Sequence, residues 1–340
     1  MPPAERYRAA GVDLDALERA KARIAEAAAS TRTVLARGMV GAFGGMVRLP
    51  SDLQDPTLVM SHDGVGTKVL VALRARRHDT VGEDLVNHCV NDILVHGARP
   101  IAFLDYIAGA NVPTETLVAL VEGVARGCRA HGLTLVGGET AQLPDLYEPG
   151  HYDLAGTIVG VVAERDALHG DRVAVGDVLI GYASSGLHTN GYSLARRILF
   201  DDLRLGIDAD VAELGGRVSE VLLAVHRSYW EAVHPALPRI HALAHITGGG
   251  MPGNLVRVLP EGCGAAVRTA AWPRPALFSF LQQQGGVSDD EMYRVFNMGI
   301  GMVAVAAPGD ADGVRDVARR ASVETWVIGE ITRGTGVALA

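Results

Sequence analysis

Glycine, gathered in short clusters after apolar runs, is the feature that most constrains how this chain can fold. The chain has 340 residues and 41 glycines, whereas average usage would give about 24. Apolar residues make up 48% of the sequence and no G-X-Y period is present, so neither a disordered chain nor a collagen-like one fits. We therefore expect the surplus in turns and in loops where the backbone closely approaches another group.

The order of predicted elements indicates an α+β fold in each half. Strands and helices alternate without the regular rhythm of a parallel βαβ sheet. A polar, charged stretch at 164–177 separates the halves, which predicts domains 1–165 and 166–340. The strands are predicted at 57–61, 100–108, 133–136, 152–162, 178–183, 241–246, 264–268, 300–306 and 326–331, and the main helices at 12–28, 80–98, 113–131, 191–199 and 219–233.

Charge and apolar patterning exclude two classes of partner. The net charge is −8 and no basic stripe is present, so we expect no nucleic-acid surface. No apolar run approaches the roughly eighteen residues of a membrane helix. The three cysteines, Cys89, Cys128 and Cys263, form no CxxC pair, and no signal peptide is evident. A cytoplasmic protein without a membrane partner is therefore predicted.

The first glycine cluster lies between the first predicted helix and the first strand. It contains Gly38, Gly41, Phe43, Gly44 and Gly45. Successive backbone N–H groups in such a segment can converge on an anion and form a phosphate-binding nest. It matches neither the Walker pattern nor the dinucleotide fingerprint, so an ordinary surface loop is the alternative.

The second cluster, 62–68, follows a predicted buried strand. It combines a carboxylate, Asp63, with Gly64 and the cation of Lys68. A metal ligand, close backbone approach and a positive charge are what a magnesium–polyphosphate complex requires. A tight turn with solvated charges is the alternative.

A polar stripe lies on the helix predicted at 80–98. Asp84, His88 and Asp92 recur every four residues and so share one face. This face is either a metal- or substrate-binding surface, with Asp92 as the preferred ligand, or a plain solvent face.

Two further carboxylates follow or lie within predicted strands. Glu139 follows Gly138 at a strand end, and Asp105 lies in mid-strand, where a charge needs a partner. A cation shared by Asp63, Asp92, Asp105 and Glu139 would satisfy all four; for Asp105, a structural hydrogen bond to the backbone is the alternative.

In the second half, the loop 184–191 places hydroxyls and glycines just before a helix, which suits a phosphate. Gly248, Gly249 and Gly250 form a similar loop after the strand at 241–246, in which His245 is either a core histidine or a ligand.

These motifs occur together in one known order. The chain resembles the phosphoribosylformylglycinamidine cyclo-ligase (AIR synthetase) family from about Tyr7 to near its end. The motifs that carry the resemblance are AGVD at 10–13, the glycine loop 38–45, HDGVGTK at 62–68, CVND at 89–92, FLDY at 103–106, LVGGET at 135–140, SSGLHTNGYS at 184–193, HITGGG at 245–250 and EMYRVFN at 291–297.

The resemblance implies a homodimer in which the N-terminal strands of both copies form a β-barrel, flanked by C-terminal domains that each have a sheet covered by helices. It also implies use of ATP with Mg²⁺, and K⁺ is a further candidate ion. The formamide oxygen of formylglycinamidine ribonucleotide (FGAM) is activated as an iminophosphate. An amidine nitrogen then closes the ring of aminoimidazole ribonucleotide (AIR), with release of ADP and phosphate.

On this basis we assign predicted roles. Asp63, Asp92 and Glu139 are the predicted metal ligands, and His188 and Asp92 are the predicted catalytic residues, with His188 handling protons. The predicted ATP-binding residues are Gly38, Gly41, Phe43, Gly44, Gly45, Asp63, Gly64, Lys68, Asp105 and Gly138. The predicted FGAM-binding residues are Ser185, Gly186, His188, Thr189, Asn190, Gly248, Gly249 and Gly250.

Two departures from the family pattern matter. Family members carry lysines before the glycine loop, one of them linked to ATP, whereas Ala25-Glu26-Ala27 stands here, so Lys68 or Arg32 becomes the candidate cation. Met251-Pro252 replaces a common aromatic pair after Gly250.

Two other functions stay open at the level of sequence. One is another enzyme of the same ATP-binding superfamily; a selenophosphate synthetase would carry a reactive N-terminal cysteine, and the first cysteine here is Cys89. The other is a nucleotide-binding scaffold without turnover.

Overall fold

The computed structural model describes residues 14–38 and 42–340. The AGVD motif at 10–13 and Gly41 lie outside the described residues. The helices are α1 (Leu14–Ala29), α2 (Lys68–Ala75), α3 (Asp79–Leu94), α4 (Thr114–Ala130), α5 (Tyr192–Arg196, continued by a π-helical segment Arg197–Asp202), α6 (Val218–Leu222), α7 (Trp230–Val233), α8 (Gly250–Leu255), α9 (Ala276–Gly285), α10 (Asp289–Val295) and α11 (Ala311–Arg320).

The strands make two main sheets and two short hairpins. They are β1 (Ala36–Arg37), β2 (Met46–Val47), β3 (Pro56–Gly64), β4 (Arg99–Gly109), β5 (Thr134–Gln142), β6 (Tyr152–Ala163), β7 (Val178–Ala183), β8 (Asp210–Val211), β9 (Gly216–Arg217), β10 (Ile240–His245), β11 (Cys263–Val267), β12 (Ile300–Ala306), β13 (Thr325–Arg333) and β14 (Val337–Leu339).

The first sheet has the order β3-β6-β4-β5. β6 is antiparallel to both β3 and β4, and β5 is parallel to β4. Helices α3 and α4 cover one face, where Leu85, Phe103 and Ile158 are fully buried. The other face exposes Met60, which is 63% exposed, among further apolar residues. Alternation along the strands therefore produces one packed face and one uncovered face.

The second sheet has the order β10-β12-β7-β13-β11-β14. All its pairs are antiparallel except β11 with β14. Every residue of β12 is buried, because this strand lies in the interior of the sheet and is covered on both faces. One apolar cluster joins residues of both halves, from Leu85 and Ile158 to Phe278 and Phe296.

These observations confirm a mixed α+β fold. The strands predicted at 178–183 and 300–306 have the bounds observed for β7 and β12. A continuous helix at 219–233 is wrong, since the chain between α6 and α7 is irregular. The division at residue 165 stays a prediction; the first sheet ends at Ala163 and the second begins at Val178. Within the described ranges, the structure shows no helix with the length and hydropathy needed to cross a bilayer.

Candidate active-site cleft

An open cleft of about 470 Å³ joins the two halves of the chain. Residues of the first sheet and α3 form one side, and the loop before α5 forms the other. The cleft thus brings the predicted metal carboxylate together with the predicted substrate loop. Its lining residues are His62, Asp63, Gly64, Gly66, His88, Asp153, Leu154, Ala155, Thr189 and Asn190.

Asp63 and Asp92 approach each other through His88. Asp63 stands at the end of β3, half exposed, and its Oδ2 lies 2.9 Å from His88 Nε2. Asp92 comes from α3, and its Oδ2 lies 3.6 Å from the same nitrogen. His245 Nδ1 is 2.8 Å from the other oxygen of Asp92, and Ser61 donates to Asp92 at 3.1 Å. The two carboxylates predicted as metal ligands therefore lie side by side.

The surroundings keep both carboxylates charged. Burial raises the pKa of Asp63, but the hydrogen bond and the charge of His88, together with the Gly64 N–H, lower it by more, so the net pKa is lowered. Burial likewise opposes ionisation of Asp92, but His245, His88 and Ser61 together favour the charged form by more, so its pKa is also lowered. Asp63 at the open cleft and Asp92 beside it offer the hard oxygen donors that Mg²⁺ prefers.

Asp105 and Glu139 do not join this pair in the chain. Asp63, Gly156, Asp105 and Gly138 form one cross-strand row, which separates Asp63 from Asp105 by two strand spacings, about 10 Å. A Cβ on Gly156 would lie 2.3 Å from the Phe103 ring, so this ring fills the intervening space.

Glu139 is next to Gly138 and so points to the opposite, exposed face of the sheet. One copy of the chain therefore does not bring the four carboxylates close enough to share the expected cation. Asp105 is buried and makes no side-chain hydrogen bond or ion pair with the other described residues, and burial raises its pKa to about 7.

The first glycine loop lies along β5, at the other edge of the sheet from Asp63. A Cβ on Gly45 would lie 2.5 Å from the side chain of Val136. Gly38 has a positive φ of 73°, Gly44 faces open space and Phe43 is fully exposed. A Cβ on Gly138 would lie 2.0 Å from Asp105 Oδ1. The predicted ATP-binding residues thus fall into two groups, one at each edge of the sheet.

Lys68 does not fit its predicted role as a phosphate-binding cation. Its side chain has no exposure and its Nζ lies 2.7 Å from Asp84 Oδ2. The same ammonium donates to the carbonyls of Ala224 at 2.8 Å and His188 at 3.2 Å. With three acceptors in the interior, Lys68 joins α2 to the second half instead of reaching the cleft. Arg32 is exposed beside β5 and lines a small pocket with Arg37.

The loop 184–191 divides its residues between the cleft and the interior. Thr189 and Asn190 line the cleft, whereas Ser185 is turned away, its hydroxyl donating to the Val225 carbonyl at 2.6 Å. Gly186 adopts a φ of 134° and its carbonyl accepts from Asn297 at 2.8 Å.

His188 does not fit the role of a proton donor at the surface. It is 1% exposed, it has a φ of 63°, and its Nε2 accepts from Ser185 N–H at 3.1 Å. Burial, with the nearby positive charges, lowers its pKa well below the usual value. Its ring stacks on His226 at 4.0 Å between centroids, so His188 is a neutral interior residue behind the cleft.

The loop Gly248–Gly250 lies against the loop 184–191. A Cβ on Gly248 would lie 3.4 Å from Asn190 Oδ1. Gly249 and Gly250 have positive φ values of 91° and 63°. Asn254 holds the loop, since its Nδ2 donates to the carbonyl of Gly250 at 2.8 Å and to that of Gly248 at 3.2 Å.

Comparison with known proteins places this geometry in a family. The N-terminal domain of AIR synthase related proteins matches residues 44–162, and the C-terminal domain matches 174–340. A phosphoribosylformylglycinamidine cyclo-ligase from Sorangium cellulosum is 48% identical over 329 residues, covering 96% of this chain and 94% of that protein. The chain belongs to the phosphoribosylformylglycinamidine cyclo-ligase family. The cyclo-ligase of Xanthomonas oryzae pv. oryzae is 44% identical over 335 residues, covering 97% of each chain.

Solved structures share the fold of this cyclo-ligase at lower identity. Thiamine-monophosphate kinase from Stenotrophomonas maltophilia K279a has a TM-score of 0.70 at 18% identity and covers 95% of this chain and 94% of its own. The hydrogenase maturation protein HypE in complex with ATP has a TM-score of 0.63 at 19% identity, covering 90% and 83%. Both therefore support the two-sheet architecture.

Sequence reasoning missed two residues in and behind the cleft. Asp153 lines the cleft beside Leu154, but it lies inside a predicted strand and carries no motif. His226 lies in the irregular segment between α6 and α7, and its role depends on contacts with residues more than thirty positions away. A solitary histidine among apolar residues gives no signal of such contacts.

Proposed function

We propose that the cleft between Asp63 and Asn190 is where the family's activity takes place in this chain. That activity is the ATP-dependent cyclisation of FGAM to AIR with release of ADP and phosphate. The observation that carries the proposal is that the cleft joins Asp63, which shares His88 with Asp92, to the polar loop of the other half, in a chain 48% identical to a curated cyclo-ligase.

In this proposal Asp63 and Asp92 hold the metal ion of a magnesium–nucleotide complex. When bound, Mg²⁺ would neutralise charge on the phosphates and favour their transfer. Asp63 is the more exposed of the two and faces the cleft directly, so it contacts the complex first. Asp92 is held by His245 and Ser61, which fixes its orientation.

The substrate is proposed to lie against Thr189, Asn190 and Gly248–Gly250. Thr189 and Asn190 line the cleft, and the glycine loop lies next to Asn190 in space. Free N–H groups in such loops suit a ribose phosphate. Catalysis would then consist mostly of positioning, with polar groups arranged before the substrate arrives.

The glycine loop beside β5 is proposed to contact the nucleotide at the other edge of the sheet. Gly38, Phe43, Gly44, Gly45 and Gly138 surround this edge, where Asp105 and Glu139 also lie. Because Asp63 is three strands away, one copy of the chain does not unite the two groups of residues.

The test of function is incubation of the purified chain with FGAM, ATP and Mg²⁺, with both AIR and ADP measured. We expect equal amounts of the two products. ADP without AIR would contradict cyclisation, and absence of both would favour a scaffold that binds nucleotide without turnover.

Asp63→Asn tests the metal assignment in the same assay. Loss of one charge should raise the Mg²⁺ concentration for half-maximal activity by at least about tenfold. Asp312→Asn is the control, because this carboxylate is 96% exposed on α11 and its loss should leave the Mg²⁺ dependence unchanged. Equal Mg²⁺ dependence of Asp63→Asn and the parent chain would refute the assignment.

We also propose that the uncovered face of the first sheet mediates a homodimer. Leu58 and Met60 of β3 are 44% and 63% exposed, and Leu104 and Tyr106 of β4 are 37% and 38% exposed. β3 and β4 both pair with β6, in registers that place these side chains on one face, and an apolar patch of this kind is typical of an interface. Two such faces packed together would form the barrel that the family resemblance implies.

The dimer is tested by light scattering of Met60→Glu, which we expect to give about half the mass of the parent assembly. Val175→Glu is the control, since Val175 is 51% exposed and lies outside the sheet. A parent chain that already has the mass of a monomer would contradict the proposal.

A further inference from the structure

The side chain of Asn297 joins the turn before β12 to the start of the loop 184–191. Its Oδ1 accepts from Gly299 N–H at 2.9 Å and lies 3.0 Å from the Ser184 hydroxyl. Its Nδ2 donates to the Gly186 carbonyl at 2.8 Å. A backbone N–H only donates and a carbonyl only accepts, so these two partners fix the orientation of the amide. Asn297 is 4% exposed, and the loop is therefore held at its first residues from the interior.

The turn that carries Asn297 has an unusual backbone with several partners. Met298 has a φ of 52° and Gly299 a φ of 97°, and methionine is disfavoured at positive φ. The Trp272 indole donates to the Met298 carbonyl at 2.9 Å, and Ser184 N–H donates to that of Gly299 at 2.9 Å. Such a conformation persists only where the surrounding contacts determine it. The turn is thus a fixed support for the loop.

Both loops on the substrate side of the cleft pack against residues that closely precede Asn297 in the chain. A Cβ on Gly191 would lie 2.4 Å from the Phe296 ring, so the end of the loop 184–191 packs on this ring. A Cβ on Gly250 would lie 1.8 Å from the Tyr293 carbonyl oxygen. One short segment therefore contacts the second glycine loop and both ends of the first.

We propose that Asn297 is a positioning residue for FGAM, because it fixes the start of the loop that brings Thr189 and Asn190 to the cleft. Asn297 is not among the residues lining the cleft, so it acts on the substrate through the shape of the loop. The inference rests on the proposed binding of FGAM by this loop. A loop that already has its bound shape loses less conformational entropy when the substrate binds.

Asn297→Asp tests the contact with Gly186 at nearly constant side-chain size. The carboxylate keeps an acceptor for Gly299 N–H, but it has no hydrogen for the Gly186 carbonyl and places an oxygen against it. In steady-state assays of AIR formation, we expect the KM for FGAM to rise about tenfold or more. The KM for ATP should change by less than about twofold, because the proposed metal carboxylates belong to the first half. Asn297→Ala, which removes all three contacts, should also raise the KM for FGAM.

Asp177→Asn is the matched control. Asp177 is 5% exposed, and its Oδ2 accepts from Ala174 N–H at 2.9 Å and lies 2.8 Å from His241 Nδ1. It precedes β7 whereas Ser184 follows this strand, which separates the two sites by about 20 Å. Both exchanges should lower the stability to urea, but only Asn297→Asp should raise the KM for FGAM. An unchanged KM in Asn297→Asp, or an equal rise in Asp177→Asn, would overturn the inference.

Hydrogen exchange in the parent chain is a test that needs no variant to fold. Without substrate, exchange should already be slow at Gly299 N–H, which Asn297 Oδ1 accepts, and at Ser184 N–H. Addition of FGAM should then change the exchange at these two groups little. Exchange at Gly299 that becomes slow only after FGAM is added would show that the substrate shapes the loop, and would overturn the inference.

The two hypotheses fail differently. If the parent chain forms no AIR while Gly299 N–H is protected without substrate, the proposed function is wrong and the fixed shape of the loop stands. If the parent chain forms AIR while Asn297→Asp keeps the parent's KM for FGAM, the positioning role of Asn297 is wrong and the function stands.

Discussion

The buried ion pair between Lys68 and Asp84 should be among the most costly polar contacts to break. Neither side chain has any exposure, and the charged atoms lie 2.7 Å apart. Asp84 Oδ1 also accepts from His226 N–H at 2.7 Å. Burial lowers the pKa of Lys68 and raises that of Asp84, and each charge opposes the shift of the other. The pair is therefore charged only as long as both members are present.

Lys68→Met keeps the length of the side chain and leaves the Asp84 carboxylate without its cation. Removing one partner of a buried pair costs about 3–5 kcal/mol, a large fraction of the total of about 5–15 kcal/mol that holds a domain folded. Asp84→Asn should cost a similar amount. In Lys68→Met/Asp84→Asn no charge is left buried, so the double variant should lose less than the sum of the singles, by about 2 kcal/mol or more.

Urea unfolding of the four chains of this cycle measures the free energy of unfolding and the coupling between the residues. Lys21→Met and Glu18→Gln, alone and together, form the matched control cycle, because Lys21 pairs with Glu18 at 2.9 Å on the surface, where the two side chains are 69% and 67% exposed. A surface pair of this kind contributes less than about 1 kcal/mol. A coupling between Lys68 and Asp84 no larger than that of the control pair would refute the reasoning.

Two further substitutions test burial and close packing. Asp105→Asn should remove a pH dependence of stability, because burial raises the pKa of Asp105 to about 7 in the folded chain. The parent chain therefore loses stability as pH rises from about 4 to about 7. The asparagine variant should be spared about 4 kcal/mol of this loss, as measured by urea unfolding at both ends of that range. Gly250→Ala would place a Cβ 1.8 Å from the Tyr293 carbonyl oxygen at a φ of 63°, and should cost about 2 kcal/mol or more. Gly253→Ala, in open space on the same short helix, should be neutral or stabilising in the same thermal melt, and equal losses at the two glycines would contradict the packing argument.

Hydrophobic patterning along the chain predicted the strands whose residues are buried along most of their length. The strands β7 and β12 are continuous apolar runs between polar loops, and both have the expected bounds. The proximity of Asp63 and Asp92 also followed from the motifs, because both carboxylates were expected to share one cation. The roles of Asp63 and Asp92 in metal binding stay predictions.

What the sequence could not supply is which polar residues are turned inward. Lys68 and His188 lie in glycine-rich motifs that suggested phosphate and proton chemistry, but Lys68 is buried against Asp84 and the distant Ala224 carbonyl, and His188 is buried against His226. The break between α6 and α7 has the same origin. Lys68 binds the Ala224 carbonyl, Ser185 binds that of Val225, and side chains of α3 bind His226 and Tyr229. These backbone groups are therefore not available to a helix.

The irregular segment between α6 and α7 has a consequence for recombination between relatives. Asp84, Asn87 and Asn91 of α3 all bind its backbone, so the two halves recognise each other through main-chain atoms that any sequence supplies, provided that the segment keeps its shape. A chimera that exchanged the second half with a distant relative would depend on three polar residues of one helix and on the length of seven residues opposite them. Exchange of the second half would therefore preserve these contacts wherever the opposing segment keeps its length and backbone path.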